Sequence, residues 1–232
     1  MSDEARMTLR DHLLELRRRL AISLIAVVVA TGVGLFFANS VLDLMKQQAP
    51  SDVRIIYTDV TEGFNAYLKT GLYAGIGLAL PVLVYQLLAF IAPGLTRKER
   101  KYLFALMPGV FILFIAGASF CYFIILPFAL RYLLGFTFVA EPMIRIGDFI
   151  SFTVTFLFWV GIVFETPLVI FFLSKVGIVN PKKLGSYRKW AFLASFIIGA
   201  LITPTPDPIN QSLVAIPIYI LFEAGLLLAR IF

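Results

Sequence analysis

A chain of 232 residues that is 60% hydrophobic and 15% charged, with a mean hydropathy of +0.91, lies outside the range of water-soluble globular domains. Its net charge of +6 is scattered over short connecting segments with no nucleic-acid-reading motif, so the excess is read as membrane topology and not as nucleic-acid binding. The single cysteine, Cys121, and single histidine, His12, give no disulfide and no metal cluster. No HExxH, GxSxG or GxxxxGK(S/T) is present, so neither a catalytic, a metal nor a cofactor site is expected.

The whole chain, 1–232, reads as one transmembrane domain of the all-α class. Residues 1–19 mix charges and form an amphipathic lead-in. The apolar run after them is longer than a signal-peptide core, so it is expected to stay as a span. Six spans follow from runs of about 20 apolar residues: about 20–38, 67–91, 102–126, 149–173, 188–203 and 209–229. The third is expected to stop at Pro127. The fifth is short and ends at the cluster Thr203-Pro-Thr-Pro-Asp-Pro208, which cannot continue a helix. Spans five and six therefore form a tight hairpin in a concave bundle. The connection 39–66 is long enough to hold short helices in the membrane interface, around Ser40–Gln48 and Thr61–Leu68.

Lysine and arginine set the orientation. Fifteen of the twenty fall before span one, between spans two and three, between four and five, and after six. Four, Lys46, Arg54, Arg131 and Arg145, fall on the opposite side, and Lys69 lies at the far end of span two. The positive-inside rule then places both termini in the cytoplasm.

Three acids stand out. In His12-Leu-Leu-Glu-Leu-Arg-Arg-Arg-Leu20, Leu13, Leu16 and Leu20 recur at helical spacing, and Glu15 and Arg19 share a face. Taken alone, this is a basic stop-transfer flank, but an acid weakens attraction to anionic lipid. Glu99 stands three residues after Thr96, the spacing of a capping box. Glu165 lies inside span four, two residues before Pro167. A carboxylate near the bilayer centre costs several kcal/mol, roughly 2.5–3.5 on insertion scales, so an intramembrane acid marks a functional site by default. Glu165 is expected to face a polar groove at a kink made by Pro167. Two roles stand for it: shaping a docking groove for a helix with a polar residue, or relaying a proton.

Four separated motifs, HLLELRRRL, YQLLAFIAPGLTRKER, FETP and IPIYILFEAG, occur in order on six spans. Together they closely resemble the TatC family, the multispanning subunit of the twin-arginine protein translocase, from about residue 8 to 230. The resemblance implies a receptor for the arginine-pair signal peptide of folded cargo. It further implies single-span partners TatA and TatB, self-association in the receptor complex, a lipid setting in the cytoplasmic (inner) membrane, and transport driven by the proton-motive force. By the same resemblance, Glu15 and Glu99 meet the arginines. Arg17 and Phe90 serve signal recognition with Pro93, Gly94 and Leu95, and Glu165 is the family's membrane-buried acid. Thr203, Asp207 and Gln211 belong to the outer hairpin where partner helices dock. The chemistry suits the first assignment, because a guanidinium fork matches a carboxylate and an ammonium does not.

The alternative is an ion- or solute-coupled secondary transporter using Glu165. It has no need of Glu15 and Glu99 outside the membrane, and the inverted repeats frequent in such transporters are not evident. Six helices, two of them short, do not enclose a pore for a folded protein, so partners must supply the passage.

Overall fold

A computed structural model describes residues 9–50, 53–91, 97–135, 143–203 and 207–231. Helix α1 is Leu9–Lys46, strand β1 Arg54–Ile56, α2 Glu62–Ile91 and α3 Arg97–Phe120. A π-helical segment, Cys121–Ile125, joins α3 to α4, Leu126–Leu134. Then come β2 Met143–Arg145, α5 Ile146–Val163, α6 Thr166–Lys175, α7 Pro181–Ser186, α8 Arg188–Ile202 and α9 Pro208–Ile231.

Among the described residues, five helical segments are long and apolar enough to cross a membrane: His12–Lys46, Glu62–Phe90, Leu106–Leu134, Ile146–Lys175 and Pro208–Ile231. The short fifth span expected from sequence is α8, whose 15 residues reach about 22 Å against a hydrocarbon core of about 30 Å. Large apolar side chains such as Leu24, Val28, Phe36, Ile112, Phe123 and Leu201 stand exposed, as lipid rather than water requires.

Several boundaries differ from the expectation. Residues 40–48 do not make a separate interfacial helix. No proline or glycine interrupts them, and α1 runs on to Lys46, where Ala38 and Met45 are buried and the Tyr122 hydroxyl donates to the Leu44 carbonyl at 2.8 Å. Thr61–Leu68 likewise opens α2 instead of lying apart, and the Tyr67 hydroxyl ties it to the Leu35 carbonyl at 2.8 Å. Pro127 does not stop the third span. The preceding π segment has already broken the regular ladder, with the Leu126 N–H reaching back to Cys121. That wider turn absorbs the proline ring and its missing donor. Span four does break near Pro167: α5 ends at Val163, and the Thr166 hydroxyl donates at 2.6 Å to the Val163 carbonyl, the acceptor that Pro167 leaves without its N–H.

The helices pack as an open series. α1 lies on α2, α2 on α3 and α5, α3 on α5 and α6, α6 on α9, and α9 on α8. α5 is the centre: Phe149, Ile150, Val154, Phe156 and Val160 are buried with Cys121, Ile125 and Leu126 of the π junction and Val214 and Ile218 of α9. One face of α5 is buried in this cluster, while Trp159 stays exposed.

Close approach relies on glycine. On α2, Gly71 and Gly75 are four residues apart and share a face. A Cβ on Gly75 would lie 2.6 Å from the Thr31 nitrogen, and one on Gly34 would lie 2.8 Å from the Gly75 nitrogen. A second set of notches seats aromatic rings, with Phe114 lodged against both Gly77 and Gly161, and Phe164 against Gly117. Gly177, at φ 76°, follows α6 in the left-handed conformation that ends helices. Asn180 then caps α7 by accepting from the Lys182 N–H at 2.9 Å.

At the end of the bundle away from the termini, β1 and β2 pair in parallel, Arg54 with Met143 through Ile56 with Arg145. This ribbon was not foreseen from sequence. It is held by Glu62, 7% exposed, whose carboxylate accepts from the N–H groups of Thr58 and Gly147, each at 2.9 Å, and pairs with Arg145 Nε at 3.6 Å. Glu62→Ala would strand those donors. The expected outcome is a fall in Tm of several degrees, with Glu62→Gln nearer wild type; an unchanged melting curve for Glu62→Ala would show the ribbon to be ornamental. In the same connection Asp59 accepts from the Thr61 N–H and hydroxyl, both at 2.7 Å. The Thr61 backbone N–H, then its hydroxyl, hold the Asp59 carboxyl below the usual range. The turn's contribution is therefore present at neutral pH and fades only as pH falls through that lowered value.

Candidate functional site

Near the N-terminus, α1 and α2 converge to make a polar cluster in a mostly apolar molecule. His12, Glu15 and Arg19 recur on one face of α1, and Gln86 and Phe90 on one face of α2. The His12 and Phe90 rings stack at 4.4 Å. Arg19 gives two donors to a single Glu15 oxygen, Nη2 at 2.5 Å and Nε at 3.0 Å, and a third, Nη1, to the Gln86 amide oxygen at 3.3 Å. Both members of the pair keep 20% of their side-chain surface exposed. The second Glu15 oxygen, Oε2, is buried without a hydrogen-bond partner among the described residues.

The structure thus brings together two of the residues singled out from sequence, Glu15 and Phe90. Arg17 is exposed on the side of α1 away from this face. Glu99 is the third residue of α3, a position compatible with its capping spacing, but its side chain lies outside the described residues. Pro93, Gly94 and Leu95 lie outside them altogether. Sequence reasoning placed Arg19 on the face of Glu15 but missed His12 and Gln86 as members of the same cluster. The available signals were the three- and four-residue spacings from Glu15, and a lone amide in the otherwise apolar close of span two.

Glu165 sits at the break between α5 and α6. It is 6% exposed, and both carboxylate oxygens lack a hydrogen-bond partner among the described residues. It occupies the N-cap position of α6 without a side-chain cap bond, where the positive end of the helix dipole offsets part of the burial cost. Pro167 is buried against Gly225 of α9. Three more buried hydroxyls, of Thr31, Thr70 and Thr153, also lack partners among the described residues.

A cavity of about 520 Å³ opens among α1, α2, α3, the π junction and α5. Phe37, Tyr73, Phe111, Phe114 and Phe158 line it, and Thr70 contributes to its wall. This cavity is apolar, and Glu165 is not on its surface. This recess is therefore not the polar groove expected at Glu165.

In the α8–α9 hairpin the residues singled out from sequence make two local bonds and one that crosses between the helices. The Thr203 hydroxyl donates to the Gly199 carbonyl at 2.9 Å. Asp207 accepts from the Asn210 N–H at 2.7 Å and from its amide at 3.0 Å, closing the first turn of α9. The Gln211 amide crosses to the Phe196 carbonyl at 2.9 Å, joining α9 to α8. At the opposite end of these helices Arg188 pairs with Glu223 at 2.7 Å, and the Tyr219 hydroxyl donates to the same carboxylate at 3.0 Å. No group of three or more metal-ligating side chains is present among the described residues.

Comparison with known proteins covers nearly the whole chain. The profile of the family described as Sec-independent protein translocase protein (TatC) matches residues 11–217. A Sec-independent protein translocase protein TatC of Carboxydothermus hydrogenoformans is 38% identical over 97% of this chain and 93% of its own length. The protein of the same name from Aquifex aeolicus is 38% identical over 97% and 95%. A crystal structure of a twin arginine translocase receptor, TatC, in DDM superposes with a TM-score of 0.83 at 38% identity, covering 94% of this chain and 99% of that one.

Proposed function

The chain belongs to the TatC family of Sec-independent protein translocase proteins, and from that premise we propose that it is the translocase's receptor for arginine-pair signal peptides. It is a multi-pass membrane subunit of a protein translocase and not an enzyme. Membership in this family weighs against the solute-transporter reading.

The observation that best supports the receptor role is the Glu15 carboxylate, held on α1 against α2 and already holding a guanidinium. A site that accepts one guanidinium in a two-donor contact has the acid and the geometry to accept another. Glu99, near the start of α3, supplies a second acid for the second arginine, and Arg17, Phe90, Pro93, Gly94 and Leu95 frame the peptide. Each ion pair at the edge of the membrane, where cargo must enter from water, contributes only about 0.2–1 kcal/mol. Useful affinity therefore also draws on the apolar stretch of the signal peptide, which the membrane and the exposed apolar helix faces receive.

In this reading both termini are cytoplasmic and the protein sits in the inner membrane, as the fifteen-to-four distribution of basic residues supports. TatA and TatB dock through the α8–α9 hairpin, near Thr203, Asp207 and Gln211. Copies of the chain associate in the receptor complex, and the proton-motive force drives export of folded cargo. The test is binding of a synthetic signal peptide to the protein in lipid nanodiscs. Substituting Lys-Lys for the Arg-Arg pair should weaken binding about tenfold, and Glu15→Gln should erase most of the difference. Equal affinity for the two peptides would remove the receptor assignment.

A further inference from the structure

Glu15 and Arg19 form a pair that is closed before any cargo arrives. One carboxylate oxygen carries two Arg19 donors, and the other is buried without a partner among the described residues. A guanidinium from outside can reach neither without moving something. The structure also holds the place to which Arg19 can retreat: the Gln86 oxygen, on a side chain 9% exposed, already accepts its Nη1.

We propose that Arg19 is a resident occupant of the cargo guanidinium's place on Glu15, and that recognition proceeds by exchange, with Arg19 transferred wholly to Gln86. This rests on the receptor reading above and concerns the regulation of that site. Charge sets the direction of the effect. The resting pair is neutral, whereas the loaded site holds two guanidiniums side by side, the cargo's on Glu15 and Arg19 on the neutral Gln86, and their repulsion opposes binding. Chemistry sets the selectivity. An arriving group must replace a two-donor contact, which an arginine can do and an ammonium, a hydrated point charge, cannot do as well. Arg19 thereby lowers affinity for all cargo and discriminates against lysine. The buried Gln86 acceptor lowers the cost of displacement, because a freed guanidinium keeps a partner in a place poor in water.

The experiment measures affinities of Arg-Arg and Lys-Lys signal peptides for the full chain in nanodiscs. Arg19→Gln should bind the Arg-Arg peptide roughly three- to tenfold more tightly and the Lys-Lys peptide by a larger factor, so that selectivity narrows. Gln86→Leu should act in the opposite sense, weakening Arg-Arg binding roughly threefold by denying Arg19 its second partner. Placed in the Arg19→Gln background, Gln86→Leu should then have no further effect, since no Arg19 remains to be received. Tighter binding in Arg19→Gln is an outcome that mere structural support would not produce. Unchanged or weaker Arg-Arg binding by Arg19→Gln, or a Gln86 effect that persists without Arg19, overturns the exchange. Should Arg19→Gln not fold, Arg19→Lys keeps the charge but yields the fork, and it too must bind the Arg-Arg peptide more tightly. Failure of the receptor reading looks different: the wild-type protein itself would not distinguish the peptides, and Glu15→Gln would be silent.

Discussion

Gly75→Leu should part α1 from α2 and leave a protein that does not fold as a single bundle. The glycine lies where the two helices come closest, with the backbone and hydroxyl of Thr31 filling the space a Cβ would need. Backbone cannot swing aside as a side chain can, so the helices must separate. Overpacking of this kind costs about 1–3 kcal/mol when side chains can adjust and more when they cannot. Separation also forfeits the dispersion contacts that hold helices together in lipid, where no hydrophobic force presses apolar faces against each other. The control is Gly32, next to Thr31 in the chain but facing away from α2, where a Cβ would meet nothing within 4 Å. Gly32→Leu should melt as wild type while Gly75→Leu loses its transition or drops by well over 10 °C. Because α1 and α2 together assemble Glu15, Arg19 and Gln86, the same change should abolish signal-peptide binding. Equal melting of the two variants would show that the glycine face is not what fixes the first hairpin.

Glu165→Leu should make the protein more stable and less active at once. The wild-type carboxyl is nearly fully buried with neither oxygen hydrogen-bonded among the described residues. Leucine of similar size removes that penalty, and replacements of buried unsatisfied polar groups by hydrocarbon gain about 1–3 kcal/mol. The expected rise in Tm is a few degrees for a chain of this length. Export of a folded precursor by membrane vesicles should fall by an order of magnitude or more, because an unsatisfied acid at the break between α5 and α6 persists against its cost only if transport uses it. Glu165→Gln separates the two roles left open for this acid. An amide can still hydrogen-bond to a partner helix but cannot carry a proton at any ordinary pH. Wild-type export by Glu165→Gln excludes both an obligatory charge and a proton relay, and wild-type export by Glu165→Leu removes Glu165 from the mechanism.

Both variants concern features of unequal visibility in the chain. Glu165 was visible because a lone charge in an apolar run stands out against its neighbours. Gly71 and Gly75 were visible in principle as a small-residue pair at helical spacing, yet such a pair has no partner until α1 is laid beside it. Glu62 was passed over entirely. Its three anchors, Thr58, Gly147 and Arg145, come from segments up to 85 residues away in sequence, and nothing local distinguishes it from a surface acid at a helix start.

The sequence by itself determined the membrane class, the apolar segments, the short fifth helix, the break before Pro167 and the three acids that organise the functional reading. These follow from composition and from covalent facts: twenty apolar residues span a bilayer, a proline lacks a donor, and a carboxylate resists hydrocarbon. Tertiary structure alone decided where helices continue, as at Pro127, where the π turn accommodates the ring. It decided that β1 meets β2, that α5 is central to the main buried cluster, and that Gln86 of α2 joins the Glu15–Arg19 pair. The physical reason is common to all of these. Each depends on which faces of distant segments meet, and in a chain apolar on nearly every face, hydropathy cannot say which apolar face turns to lipid and which to another helix.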